Sequence, residues 1–193
     1  MKLLANIVAY LLHPVTLTLP AVFLIVYTST ADFNLSLYWT FLSVVFTGII
    51  SVFVLFGVKK KFFNNIDVSN RKQRVILYPV VIGVVLLFAL FVYFQNGPRS
   101  LVYASCMFVA ALIVFDLVNT RIKASIHVAA VASLVTGVIY HYGSSAYLLA
   151  LLIPIMAWAR IVEKRHTLQE TIVGGFMGVL FSFIAIFIVQ FIR

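Results

Sequence analysis

Ala159-Arg160-Ile161-Val162-Glu163-Lys164-Arg165-His166-Thr167-Leu168-Gln169-Glu170 is a short polar island between two apolar runs. It carries three cations, two carboxylates and a histidine, in a chain of 193 residues with only 14 Lys and Arg and 5 Asp and Glu. The runs on either side decide the fold. They are continuous, long and almost free of charge, as a helix must be to cross the ~30 Å hydrocarbon core of a bilayer. Ionisable residues next to such runs are expensive to keep, and by default they mark function.

The whole chain repeats this pattern. Hydrophobic residues make up 64% of it and charged residues 10%, and the mean hydropathy is +1.14. A water-soluble domain of this size does not need so much apolar surface, so the expected class is an all-α integral membrane protein. A spanning barrel would instead show short alternating segments. Seven spans are expected, at about 6–28, 36–57, 75–95, 101–118, 126–142, 147–161 and 171–191, in one domain covering 1–193. The first holds Pro14 and Pro20 and should be kinked. Lys2 and the apolar run after it are faintly like a signal peptide, but no small-residue cleavage site follows promptly, so a retained first helix is expected. His13, beside Pro14, reads as a polar tip at the interface rather than a functional group. The single cysteine, Cys106, cannot form an internal disulfide.

The charges set the expected orientation. With seven spans, the N-terminus and the loops at 58–74, 119–125 and 160–170 share one side, which holds 12 of the 14 Lys and Arg; Arg99 and Arg193 lie on the other. The positive-inside rule makes the rich side cytoplasmic. Lys59, Lys60 and Lys61 read as an orientation anchor. The net charge of +9 is spread over short loops between spans, so the expected partners are anionic membrane lipids and not nucleic acid.

Within the island, Arg160, His166 and Glu170 are spaced as Arg, five residues, His, three residues, acid. This resembles the third signature of the type 2 phosphatidic acid phosphatase superfamily, S-R-x-x-x-x-x-H-x-x-x-D, with Ala159 in place of Ser and Glu170 in place of Asp. Ala124-Ser125-Ile126-His127 resembles the second signature, P-S-G-H, matching at Ser and His. The first signature, K-x-x-x-x-x-x-R-P, is matched at Arg74 alone, with Asp67 replacing Lys and Val75 replacing Pro. Asn70-Arg71 with Arg74, Lys123 with Ser125 and His127, and Ala159-Arg160 with His166-Thr167 together look like a divergent bacterial branch of that superfamily. The resemblance covers about 67–176, in the superfamily's order and on one expected membrane side.

The resemblance implies a six-helix phosphatase-like core in a bacterial-type cytoplasmic membrane. It also implies hydrolysis of a lipid phosphate monoester or diphosphate without a cofactor. His166 would be the nucleophile, forming a phosphohistidine, with Glu170 fixing its tautomer; His127 would be the general acid. Arg71, Arg74, Lys123, Ser125 and Arg160 would bind phosphate, and the lipid tail would enter from the bilayer. Outward-facing sites are usual in the superfamily, so the cytoplasmic side expected here is a departure.

The residues support a phosphate site on their own terms. The third, fifth and seventh expected spans all begin on the cationic side, and helix starts present unpaired N–H groups and the positive end of a dipole. Arginine adds a planar fork that fits two phosphate oxygens. No metal is expected, because no cluster of carboxylates and histidines stands at ligand spacing. Other readings stay open. Thr167-Leu168-Gln169-Glu170 is also a T-x-x-E capping box, Ser125 could cap its helix while His127 sits at the interface, and Arg71 and Arg74 could anchor to headgroups, with Asp67 or Asp116 as partners. Arg160 and His166 cannot share a helix face, so a break must bring them together. A binding protein without turnover is the first alternative function. A transporter is the second, although Pro20 and Pro154 form no matched pair of broken spans.

Overall fold

The computed structural model describes residues 1–68 and 70–191, and of these the side chains of Arg71 and Phe191 lie outside the description. The chain is helical, with no strand among the described residues. The helices are α1 (Lys2–Leu11), α2 (Pro14–Thr30), α3 (Phe33–Lys59), α4 (Arg71–Phe94), α5 (Arg99–Asn119), α6 (Ile126–Tyr142), α7 (Leu152–Val162) and α8 (Leu168–Phe191), with a 3-10 segment, Gly143–Leu151, between α6 and α7. Large apolar side chains such as Phe41, Val52, Leu87, Ile172 and Phe176 point outward. That is the surface a bilayer demands, since backbone polar groups are satisfied inside each helix.

Among the described residues six helical stretches are long and apolar enough to cross a membrane; the expected fifth and sixth spans fall in one stretch, Ile126–Val162. A straight helix of that length would be about 55 Å long. Instead the chain turns at Gly143, whose φ of +61° favours glycine, and comes back. The packing of α8 proves the return. Gly174 and Gly178 approach α6 so closely that a Cβ on either would overlap the carbonyl oxygen of Ser125 or Ala129. One turn further on, Ser182 Oγ donates to the Ser133 carbonyl at 3.1 Å. Residues 174, 178 and 182 therefore meet 125, 129 and 133, so α6 and α8 run parallel and in register. The leg between them must run the other way. Small residues spaced by four allow this close approach.

Breaks elsewhere follow local chemistry. Pro14 starts α2 at a position where its missing N–H is no loss, and the kink expected in the first span is a full interruption at Leu12–His13. Beyond it α1 packs on α7, while α2 packs on α3, α6 and α5. Val22, Val26, Trp39, Phe88, Val92 and Leu101 form one core cluster. Ala9, Val128, Val131, Val135 and Met156 form a second, joining α1, α6 and α7. The ends of α1, α3, α5 and α7 and the starts of α2, α4, α6 and α8 thus face the same side of the bundle.

Candidate phosphate site

The polar island is a break between two helices. Lys164 N–H donates to the Ile161 carbonyl at 2.9 Å and Arg165 N–H to the Arg160 carbonyl at 3.1 Å. Lys164 is left-handed, with φ 56°. This is a Schellman ending with a lysine where glycine is usual. It turns the chain back so that the His166 N–H donates to the Arg160 carbonyl at 3.3 Å. Thr167 then starts α8: its N–H donates to Glu170 Oε2 at 3.1 Å, and Glu170 N–H donates to Thr167 Oγ1 at 3.3 Å. The capping box forms.

The same Glu170 Oε2 also accepts from His166 Nδ1 at 3.0 Å, so Glu170 both caps its helix and holds the imidazole. His166 Nδ1 lies 3.1 Å from the Lys123 carbonyl as well. A carbonyl can only accept, so Nδ1 carries the hydrogen and the Nε2 lone pair is free. His166 is buried. Burial, then Lys123 and Arg160, pull its pKa down to about 4, against the opposing pull of Glu170. The ring is neutral near pH 7, with its nucleophilic nitrogen fixed.

Arg160 ends α7 and is 2% exposed. Its Nη1 donates to Glu163 Oε2 at 2.7 Å and its Nη2 to Asp67 Oδ2 at 2.8 Å; its Nε is buried without a partner. Burial raises the pKa of Glu163, and Arg160 opposes that rise. Asp67, expected beside Arg71 or Arg74, pairs with Arg160. Its Oδ1 faces two histidines, His13 Nε2 at 3.8 Å and His127 Nε2 at 3.9 Å. His127 opens α6 and is 3% exposed, and its Nε2 has no hydrogen-bond partner. The positive charges of Arg160 and Arg74 both reach it.

His13 was not expected here. Its Nδ1 accepts from Val15 N–H at 3.2 Å, capping α2, and its ring stands edge-to-face with that of His127, centroids 4.9 Å apart. The sequence places His13 as a polar tip in a kinked first span, and nothing local reports that this position lies against α6. Because the Val15 N–H can only donate, the hydrogen of neutral His13 is on Nε2, aimed at Asp67.

The remaining expected ligands behave differently from one another. Arg74 is buried; its Nε donates to the Val68 carbonyl at 3.2 Å, and its Nη1 has no partner. Lys123 Nζ donates to the Arg165 carbonyl at 2.8 Å, clamping the island loop. Ser125 does not cap α6 with its side chain; its hydroxyl is buried and unpartnered, while its N–H donates to the Glu170 carbonyl at 3.0 Å. The side chain of Arg71 lies outside the described residues.

His13, Asp67 and His127 each place a ligand-type atom within 4.8 Å of the others, a cluster of metal-ligand type that sequence spacing does not reveal. A ligating Nε2 must offer a lone pair, and in His13 the cap bond leaves the lone pair on Nδ1. Arg160 adds a positive charge on the same carboxylate. The cluster therefore suits an anion better than a cation. Farther along the bundle, an apolar groove of about 520 Å³ opens between α2, α6 and the returning leg, lined by Leu19, Phe23, Leu134, Val138, Leu149 and Leu152. Leu134 and Val138 stand roughly 10–16 Å along α6 from His127 by helical rise.

The chain matches no family model, no curated protein and no solved structure.

Proposed function

We propose that this protein is a membrane-embedded phosphatase that hydrolyses a lipid phosphate monoester or diphosphate through a phosphohistidine on His166. The observation that carries the proposal is the state of His166: buried, neutral, its Nδ1 hydrogen given to Glu170 and the Lys123 carbonyl, its Nε2 lone pair free. A nucleophile oriented by a base-side partner is the arrangement covalent phosphoryl transfer needs.

In the first step Nε2 of His166 attacks phosphorus and the bond from phosphorus to the lipid oxygen breaks. The substrate brings one proton in on its phosphate, and His127 takes it and passes it to the departing oxygen. Positive charge appearing on the His166 ring is stabilised by the Glu170 carboxylate. In the second step water attacks phosphorus, His127 takes a proton from it, and the N–P bond breaks to release phosphate. Arg160 and Arg74 balance the negative charge of the phosphoryl group, and Ser125 Oγ has a hydrogen bond to give. The apolar groove is of a size and character for the lipid tail.

The second reading is a lipid-phosphate binder without turnover. It is favoured by the engagement of both Arg160 Nη atoms by carboxylates. Phosphate release from a panel of lipid phosphates by purified protein, with a His166→Ala control, tests the proposal. Release that depends on His166 supports it; a wild type with no activity across the panel points to the binder.

A further inference from the structure

The Asp67 carboxylate makes contacts that a phosphate oxygen would make. One oxygen accepts from Arg160 Nη2 at 2.8 Å, and the other faces His13 Nε2 at 3.8 Å and His127 Nε2 at 3.9 Å. We infer that Asp67 is a resident anion: it occupies a site made by His13, His127 and Arg160, and the phosphate group of a lipid headgroup binds there by displacing it. The inference deepens the anion-site reading above and rests on it, but not on turnover.

Two unpartnered buried atoms show that the site is built for more than one carboxylate. His127 Nε2 and Arg160 Nε are both sealed from solvent and without hydrogen-bond partners. A buried polar group left unpaired is costly, and a carboxylate has two oxygens where a phosphate has three or four. His13 contributes a neutral N–H donor because its Nδ1 is committed to the Val15 N–H. His13 thereby joins the site as a third histidine, through the break between α1 and α2.

The backbone next to Asp67 is strained although the Val68 side chain is buried against Val54 and Phe63. Val68, the next residue, is β-branched yet has φ 43°, a conformation that such residues rarely adopt. It is held by the Arg74 Nε bond to its carbonyl. A phosphate that took over Arg160 would free Asp67, and Val68 could leave its strained state.

The test uses the full-length protein in detergent, titrated with inorganic phosphate and, in parallel, with a short-chain phosphatidic acid. Asp67→Asn keeps the shape and removes the competing charge. It should bind both ligands about tenfold or more tightly than wild type, roughly the effect of removing one charged competitor. His13→Asn retains a good helix cap but lacks the reach of Nε2–H, so it should bind both more weakly with an unchanged melting temperature. Unchanged or weaker binding in Asp67→Asn would overturn the inference. A gain confined to inorganic phosphate would overturn the headgroup assignment. If Asp67→Asn does not fold, hydrogen exchange in the wild type decides: phosphate should speed exchange over 62–68, and slowed or unchanged exchange there would overturn it. Zinc that raises the wild-type melting temperature but not that of His13→Asn would replace the anion site with a cation site. None of these arms reads lipid-phosphate hydrolysis, so a protein without phosphatase activity can still pass them.

Discussion

Glu170 Oε2 accepts two hydrogen bonds, one from His166 Nδ1 at 3.0 Å and one from Thr167 N–H at 3.1 Å. A single carboxylate oxygen therefore fixes both the start of α8 and the tautomer of the proposed nucleophile. Glu170→Gln separates the two jobs. Glutamine completes a capping box, so the melting temperature should change little, within about 0.5 kcal/mol of stability. The negative charge facing the imidazole is lost, and phosphate release should fall by between ~10-fold and the ~10⁴-fold seen when a triad carboxylate is neutralised. Parallel melting and hydrolysis assays check this; unchanged activity would reduce Glu170 to a cap.

The depressed pKa of His166 predicts a pH dependence of stability. Its folded value is about 4 against an ordinary 6.5. Below pH 6.5 the unfolded chain takes up a proton that the folded protein refuses. The stability contribution is therefore full above 6.5 and is lost as pH falls toward 4, by up to about 1.4 kcal/mol per pH unit. Denaturant melts of wild type and His166→Gln across that window should differ in slope, with the wild type steeper. Parallel curves would contradict the assignment. Activity, so far as it needs neutral His166, should persist from neutral pH down to about pH 4.

Gly174 and Gly178 set the distance between the two helix starts that carry Ser125, His127 and Glu170. A methyl on Gly174 would overlap the Ser125 carbonyl. Gly174→Ala should lower stability by about 1–3 kcal/mol, the usual cost of overpacking. Gly48→Ala, where nothing lies within 4 Å of an added Cβ, should be neutral or stabilising. Melting temperatures of the two variants check this, and an undisturbed Gly174→Ala would show that α6 and α8 are not in close contact.

The predicted orientation rests on the loops at 58–74, 119–125 and 160–170, which hold 11 of the 14 Lys and Arg. In a Cys106→Ala background, a cysteine at Lys60 should be reached by membrane-impermeant reagent only from the cytoplasm, and one at Pro98 only from outside. The reverse pattern would invert the molecule.

Much of the fold was legible because helix length and apolarity are local. So was the break that lets His166 approach the end of α7: the impossible spacing of Arg160 and His166 on one helix required it, and a Schellman turn at Lys164 supplies it. Composition alone counts six stretches among the described residues where seven spans are expected. The returning leg is part 3-10 and part α, and merges with α6 by composition alone. The placement of His13 and Asp67 is not legible for a different reason. Each looks local, a polar tip by a proline and a partner for nearby arginines. Their role comes from where α1, α2 and the loop before α4 meet the end of α7, a long-range pairing that one sequence does not display. Lys123 Nζ donates to the Arg165 carbonyl, a tie across 42 residues that its place in a motif does not display.

The central claim is that His166 Nε2 forms a bond to phosphorus. Rapid acid-free quenching of the purified protein during turnover of a lipid phosphate, followed by mass spectrometry of the peptide spanning 161–170, tests it most directly. The account predicts a phosphoryl group on His166, labile to acid, that accumulates in His127→Ala if loss of that residue slows hydrolysis of the intermediate, and is absent from His166→Ala. Undiminished phosphate release by His166→Ala, or turnover with phosphate never found on His166, would contradict it.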